Sequence, residues 1–200
     1  MQWARHNYPV AMLTKPELPP STWVVRFVPL IRPGGVALDL AAGGGRHTRL
    51  LLEGGYQVRA VDREVTALAP LAGPNCRVEA VDLETGAPWP LGGGYDGIVV
   101  TNYLHRPLLP ALATALAPGG ALIYETFMRG NERFGRPHNP DFLLSPGELL
   151  EAFAGLSIVA FEQGEVDHPR PAAIQRIAAV NGPVGRLPQA GALDNPTVGG

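Results

Sequence analysis

The sequence lacks the features that mark several large classes of protein. It contains a single cysteine, Cys76, so neither a disulfide framework nor a cysteine-based metal site can be built. It has no run of about 18 apolar residues, the length needed to span a bilayer, and no early apolar stretch typical of a signal peptide. Its formal net charge of -2 argues against electrostatic binding to nucleic acid. We therefore expect a cytoplasmic protein without a membrane or nucleic-acid partner.

Metal ligands are equally scarce. No ligand spacing beside paired carboxylates is found around the histidines His47, His105, His138 and His168, so we expect no metal site. The chain length suits one domain, which we expect over residues 1–180, with residues 1–35 forming an N-terminal cover and helix. Residues 181–200 are rich in glycine and proline and poor in apolar side chains, which predicts a mobile tail.

Short apolar runs alternate with helix-length segments, the pattern of a parallel α/β sheet. Five such strands are predicted, over residues 36–40, 56–61, 77–81, 95–101 and 121–126. Helices are predicted over residues 22–30, 46–53, 64–71, 107–117 and 146–154, the last with Ser145 as its N-cap. Two later apolar runs, 157–161 and 172–180, predict an antiparallel pair. We therefore predict a doubly wound, Rossmann-like sheet of seven strands, five parallel plus a C-terminal antiparallel hairpin, with helices on both faces.

The most informative segment is residues 37–46, Ala-Leu-Asp-Leu-Ala-Ala-Gly-Gly-Gly-Arg. An apolar strand carries the acid Asp39 and runs through a glycine turn directly into a helix pattern, and Asp62 closes the next strand. Glycines let the backbone approach a ligand, the helix start offers free N–H groups, and a second acid can accept hydrogen bonds from ribose hydroxyls. This order of elements predicts a nucleoside cofactor at the ends of the first two strands.

The glycine spacing distinguishes between nucleoside cofactors. A dinucleotide fingerprint read from Gly43 would need a glycine where Thr48 stands. The stretch instead resembles motif I of class I S-adenosylmethionine (SAM) methyltransferases, Asp/Glu-x-Gly-x-Gly-x-Gly, with Ala41 in place of the first glycine. Residues 125–127 and 143–150 are also similar to bacterial proteins near the tellurite-resistance methyltransferases. The resemblance implies SAM as cofactor and S-adenosylhomocysteine as product.

The resemblance also implies a role for each matching position. The turn from Gly43 to Gly45 would pass beneath the methionine part of SAM, with Asp39 orienting the turn and contacting the amino group directly or through water. Asp62 would accept from the ribose, and Asp82 would lie beside the adenine amino group. The cofactor-binding residues so predicted are Asp39, Ala41, Gly43, Gly45, Asp62, Arg63, Asp82, Leu83, Thr101 and Asn102.

Residues for catalysis and for the acceptor are predicted on the later strands. His105, with Tyr103 beside it, is a candidate general base, although His105 could equally cap the next helix or bond to a loop carbonyl. Glu125 ends the fifth strand, and a long loop with several arginines follows it. Arginine guanidinium groups bind oxyanions in a two-pronged geometry, so the loop is a candidate anion-binding site. The alternative interpretation is a solvated basic loop. The acceptor-binding candidates are Glu125, Arg129, Arg136 and His138.

We therefore predict transfer of a methyl group from SAM to a small-molecule acceptor, for which the basic loop favours an anion. Methylation of RNA or protein is the first alternative. A nicotinamide-dependent oxidoreductase is the second, against which Thr48 speaks. A nucleotide-binding protein without catalysis is the third. The sequence leaves open the identity of the acceptor, the atom methylated and the oligomeric state.

Overall fold

The sheet is described by a computed structural model that covers residues 18–185 and residue 187. It has seven strands in the order β3-β2-β1-β4-β5-β7-β6. Their bounds are β1 Val36–Leu40, β2 Gln57–Asp62, β3 Cys76–Ala80, β4 Tyr95–Thr101, β5 Leu116–Phe127, β6 Ser157–Val166 and β7 Ala172–Val180. Strands β1 to β5 pair in parallel, and β7 is antiparallel to both β5 and β6. The predicted seven-stranded mixed sheet is confirmed, but β7 lies inside it and β6 at its edge, an order that the sequence did not predict.

Helices cover both faces of this sheet. Their bounds are α1 Thr22–Phe27, α2 Arg46–Glu53, α3 Leu109–Ala115 and α4 Glu148–Ala152. One apolar cluster joins α1 and α2 to side chains such as Val99 of β4. The other joins α3 and α4 to Ile98 and Val100 of the same strand. Because successive side chains of a strand point to opposite faces, the central strands are apolar on both sides, as parallel sheets require.

One predicted helix does not form, although the structure describes its whole length. Residues 64–71 contain only a 3-10 turn, Ala69–Leu71. The Asp62 carboxylate accepts a hydrogen bond from the Glu64 backbone N–H, and the Glu64 carboxylate accepts one from that of Thr66. Such local bonds compete with helical backbone bonds, and Pro70 has no N–H to donate. The helical prediction was therefore wrong.

The helix α4 begins later than the capping pattern predicts. Gly147, with a φ of +76°, is the N-cap in place of Ser145. The Glu148 carboxylate still accepts the Ser145 N–H at 2.8 Å, so only the carboxylate half of a capping box forms. Two other helices end early: α1 gives way to a 3-10 turn that contains Pro29, and α3 stops where Leu116 pairs with β4.

The predicted N-terminal cover falls partly on described residues. Trp23, Val24 and Phe27 of α1 are buried against the sheet. Residues 1–17 and nearly all of the predicted tail lie outside the part of the chain that the structure describes. Strands β1 to β5 end at one edge of the sheet, where parallel α/β proteins bind ligands.

Candidate functional site

The glycine turn after β1 has left-handed backbone at three positions: Ala41 (φ +54°), Gly43 (φ +55°) and Gly45 (φ +81°). A Cβ atom on Gly45 would lie 2.7 Å from Leu71 Cδ1, so this glycine is needed for close packing as well as for its φ. A Cβ on Gly43 would meet nothing within 4 Å, which leaves open space above the turn. Ala41, where the methyltransferase motif has glycine, holds a conformation that costs a residue with a side chain about 1–2 kcal/mol.

Asp39 lies beneath this turn and is 2% exposed. The buried Thr48 hydroxyl donates to its Oδ2 atom at 2.6 Å. Burial raises the pKa of Asp39 to about 7, against the opposing effect of the Thr48 hydrogen bonds. The bond ties the strand to the first turns of α2, which is the orienting part of the role predicted for Asp39. It also explains Thr48, because the side chain that breaks the dinucleotide fingerprint is the partner of the buried acid.

Asp62 connects the glycine turn to the loop after β2. Its Oδ2 atom accepts the Gly43 N–H at 2.8 Å, and its Oδ1 atom accepts the Glu64 N–H at 3.0 Å. A carboxylate oxygen can accept more than one hydrogen bond, so both atoms retain capacity for a ligand. The carboxylate is thus fixed in place by the backbone on both sides.

A first cavity of about 410 Å³ lies beside this carboxylate. It brings together five predicted cofactor residues, Ala41, Asp62, Arg63, Asp82 and Leu83, and its other lining residues are Val81, Glu84, Tyr103 and Phe142. The Asp82 carboxylate is held by the Glu84 N–H at 2.9 Å. The strand-end acids Asp62 and Asp82 therefore line one cavity together with the apolar residue Leu83.

A second cavity of about 480 Å³ adjoins the first. Glu84, Tyr103 and Phe142 line both cavities. The other residues of the second cavity are Asn102, Leu104, Thr126, Phe127, Arg136, Pro137, His138 and Asn139. The predicted residues Asn102, Tyr103, Arg136 and His138 thus meet here, although they come from the end of β4 and from the loop after β5.

Tyr103 stands at the junction of the two cavities. Its hydroxyl oxygen is shielded from solvent and has no hydrogen-bond partner among the described residues. Burial, and secondarily the nearby Glu84 carboxylate, raises the pKa of Tyr103 well above its usual value. The phenol therefore keeps its proton at neutral pH, so it acts as a hydrogen-bond donor rather than as a base.

Among the residues predicted for catalysis and for the acceptor, His105, Arg129 and Glu125 line neither of these cavities. The predicted cofactor residues that line neither are Asp39, Gly43, Gly45 and Thr101. His105 is half-buried, lines none of the three cavities described here, and makes no side-chain capping bond to the 3-10 turn that follows it. Arg129 is exposed and also lines none of them; its backbone N–H pairs with the Leu144 carbonyl. The backbone at His105 is extended and leads into the 3-10 segment, and the catalytic role predicted for this residue stays a prediction.

A third cavity of about 210 Å³ contains the remaining predicted acid, Glu125. The Ser21 hydroxyl donates to Glu125 Oε1 at 2.8 Å, and Arg176 Nη1 donates to Oε2 at 3.1 Å. Arg46 Nη1 donates to the Pro19 carbonyl at 3.1 Å. Glu125 is therefore bound by neighbouring side chains, and its position fixes the N-terminal segment against β5.

His47 is a buried residue beside the glycine turn whose contacts the sequence reasoning did not predict. It is 2% exposed, and burial followed by the charge of Arg46 lowers its pKa to about 3. The Ser21 N–H donates to Nε2 at 3.0 Å, so the imidazole proton resides on Nδ1, 3.3 Å from the Thr101 hydroxyl. The sequence does indicate a position near the glycine turn, since His47 follows the glycine motif and shares the first turn of α2 with Thr48.

Two features are absent from the described part of the chain. There, no group of three or more His, Cys, Asp or Glu side chains could hold a metal ion. Within the same residues, no helix is long and apolar enough to cross a membrane. Cys76 is buried in β3, and burial raises the pKa of its thiol, as expected for a structural cysteine.

Known structures share this fold, although no protein-family model and no curated protein matches the sequence. The chain is similar to TehB, the tellurite-resistance methyltransferase, from Haemophilus influenzae, with a TM-score of 0.63 and 21% identity. The match covers 78% of this chain and 60% of TehB. It is also similar to 1,6-didemethyltoxoflavin-N1-methyltransferase from Burkholderia thailandensis, solved with 1,6-didemethyltoxoflavin and S-adenosylhomocysteine bound. That match has a TM-score of 0.60, 24% identity and coverage of 79% and 75%.

A third similar structure has a different activity in its name. The [4+2]-cyclase SpnF matches with a TM-score of 0.59 and 17% identity, over 82% of this chain and 79% of SpnF. At such identities the likeness shows the fold, which is that of the class I SAM-dependent methyltransferases. The resemblance stated from the sequence is confirmed at this level. Function has to be argued from the site, because one fold hosts several chemistries.

Proposed function

We propose that this protein transfers a methyl group from SAM to a small-molecule acceptor. The observation that carries the proposal is the pair of adjoining cavities, which share the wall formed by Glu84, Tyr103 and Phe142. A two-substrate transfer needs a donor and an acceptor held side by side, and the first cavity has the acids suited to a nucleoside. Both cavities lie at the sheet edge that binds ligands in this type of fold.

The residues around the first cavity fit SAM. Asp62 and Asp82 supply fixed carboxylates for the ribose hydroxyls and the adenine amino group, and Leu83 supplies an apolar neighbour for the ring. The open space above Gly43 allows a ligand to approach the turn closely, and Gly45 N-caps the helix that follows. Bound SAM would supply an activated methyl group on a sulfonium, and S-adenosylhomocysteine would be the product.

The protein's own contribution would be alignment and exclusion of water. Holding two reactants in near-attack geometry is worth about 7–11 kcal/mol. Asn102 and Tyr103 follow β4 and line the acceptor cavity, so they are placed to orient the acceptor. Glu84 lies at the junction of the two cavities, where its carboxylate is placed to accept a proton from the attacking atom, if that atom carries one. We assign this role to Glu84 in place of His105, because His105 does not line the cavity.

Binding of S-adenosylhomocysteine, measured by calorimetry, tests the donor site. We expect binding in the micromolar range, at least about 10-fold weaker in Asp62→Asn and in Asp82→Asn, since each change removes a charged hydrogen-bond acceptor. Glu53→Gln is the matched control, because Glu53 is an exposed acid at the far end of α2 and its variant should bind normally. Unchanged binding in both aspartate variants, or binding of a nicotinamide dinucleotide instead, would overturn the donor assignment.

Methyl transfer itself is tested with SAM labelled at the methyl carbon and fractionated cell extract. We expect label in the small-molecule fraction. Label in the RNA or protein fraction would support the first alternative function instead. S-adenosylhomocysteine binding without transfer to any fraction would support the non-catalytic alternative.

A further inference from the structure

Three aromatic residues line the acceptor cavity, and two of them also line the cofactor cavity. Tyr103, Phe127 and Phe142 contribute rings to its lining. Phe142 is 46% exposed, even though it is a large apolar side chain and lines both cavities. The protein's own packing thus leaves a substantial part of this ring uncovered at a binding cavity, where a flat ligand would cover it. Aromatic rings favour stacked or edge-to-face neighbours over other apolar groups of equal area.

The loop side of the same cavity is cationic. Arg136 forms no ion pair and no side-chain hydrogen bond with any described residue. Arg133, three residues earlier on the same loop, has both an ion pair with Glu165 and a hydrogen bond to the Gly130 carbonyl at 3.1 Å. Arg129, the other arginine of the loop, lines neither cavity, so Arg136 is the loop arginine that both lines the acceptor cavity and keeps its donors for a ligand. His138 lines the cavity beside it.

The acidic and basic residues of the acceptor cavity lie in different parts of it. Glu84 lies at the junction with the cofactor cavity, whereas Arg136 and His138 line only the acceptor cavity. An anionic group therefore has a favourable place at the loop and an unfavourable one beside Glu84. The acceptor's reacting atom would have to meet the donor methyl group at this junction, beside Glu84 and Tyr103.

We infer that the acceptor is a planar ring compound that carries a carboxylate or similar oxyanion. Its ring lies among Tyr103, Phe127 and Phe142, its anionic group binds at Arg136 and His138, and a heteroatom on its far side faces the junction with the cofactor cavity. The cavity volume of about 480 Å³ is in the range for a small molecule. This inference rests on the proposed function, since it assigns the second cavity to the acceptor.

The test uses calorimetry with four ring acids, namely salicylate, 4-hydroxybenzoate, indole-3-carboxylate and quinoline-2-carboxylate, and with their amides. Cyclohexanecarboxylate serves as an anion without an aromatic ring. We expect at least one ring acid to bind at least about 10-fold more tightly than both its amide and cyclohexanecarboxylate. Arg136→Gln should weaken the binding of that acid by about 10-fold or more and leave the binding of its amide unchanged, because only the acid forms charge-assisted hydrogen bonds. Arg133→Gln is the matched control and should not affect either compound.

The outcomes separate this inference from the proposed function. S-adenosylhomocysteine binding is measured on every variant, and its retention also shows that the variant is folded. Retained S-adenosylhomocysteine binding with no preference for any ring acid would overturn the inference alone. An equal effect of the Arg133 and Arg136 substitutions would overturn it as well. If the unaltered protein does not bind S-adenosylhomocysteine, the proposed function is overturned, whichever acids bind.

Discussion

Two buried ionisable groups at the base of the glycine turn should have opposite effects on how the protein's stability changes with pH over the mildly acidic range. His47 has its pKa lowered from 6.5 to about 3, and Asp39 has its pKa raised from 3.8 to about 7. Below pH 6.5 the unfolded chain protonates His47 and the native protein does not, so this group makes stability fall as pH falls towards 3. Above pH 3.8 the unfolded chain ionises Asp39 and the native protein does not until about 7, so this group makes stability fall as pH rises.

The two contributions have opposite signs and overlap between about pH 4 and 6.5. A shift of one pKa unit corresponds to about 1.4 kcal/mol, so each group alone would change stability by about 1.4 kcal/mol per pH unit in this window. Over the full range, His47 contributes about 5 kcal/mol and Asp39 about 4 kcal/mol, in opposite directions. Their sum is close to flat, and removing either group should reveal the slope of the other.

The variants Asp39→Asn and His47→Gln make this measurable by urea unfolding at pH 4.5, 5.5 and 6.5, followed by tryptophan fluorescence. Asparagine can still accept from Thr48, and glutamine can still accept from the Ser21 N–H. Relative to the unaltered protein, Asp39→Asn should lose about 3 kcal/mol between pH 6.5 and 4.5, and His47→Gln should gain about the same amount. The double variant should have the same pH profile as the unaltered protein. Parallel profiles for all four proteins would refute the reasoning, since other titrating groups are common to them.

Three further changes test the glycine turn and its support. Ala41→Gly should stabilise the protein by about 1 kcal/mol, because it relieves a left-handed φ at a residue with a side chain; a loss of stability in urea unfolding would contradict this. Gly45→Ala should destabilise by about 1–3 kcal/mol more than Gly43→Ala, because only position 45 also clashes with Leu71; equal losses in thermal unfolding would show that packing there is loose. Thr48→Val should cost about 1–3 kcal/mol at pH 8, where Asp39 is ionised, and less at pH 5, where it is protonated; a loss independent of pH would mean that the hydroxyl does not act on the carboxylate.

Prediction from the sequence succeeded where local order decides the structure. The run from β1 through Gly43 and Gly45 into α2 is contiguous, and its strand, turn and helix each follow from neighbouring residues. Five of the predicted cofactor residues meet in one cavity because strand ends converge at one edge of a parallel sheet. That convergence is a property of the topology, so it needs no knowledge of side-chain packing.

Prediction failed where distant contacts decide. The Ser21–Glu125 bond joins residues 104 positions apart, and the Ser21–His47 bond joins residues 26 apart, so neither has a local pattern. His105 was chosen for its residue type and its place after β4, whereas only the folded chain shows which neighbours face the cavity. The failure of the helix over residues 64–71 has a local cause instead, since the competing bonds span only two residues: apolar spacing alone takes no account of acids that bind the first N–H groups.

The wall shared by the two main cavities has a thermodynamic consequence. When a molecule binds in one cavity and moves any of the shared residues Glu84, Tyr103 and Phe142, the surface of the other cavity changes as well. Occupancy of either chamber should thus alter the affinity of its neighbour, and by the same factor in both directions, as linkage requires. An order of substrate addition could arise from three side chains alone, without a moving lid or a second subunit.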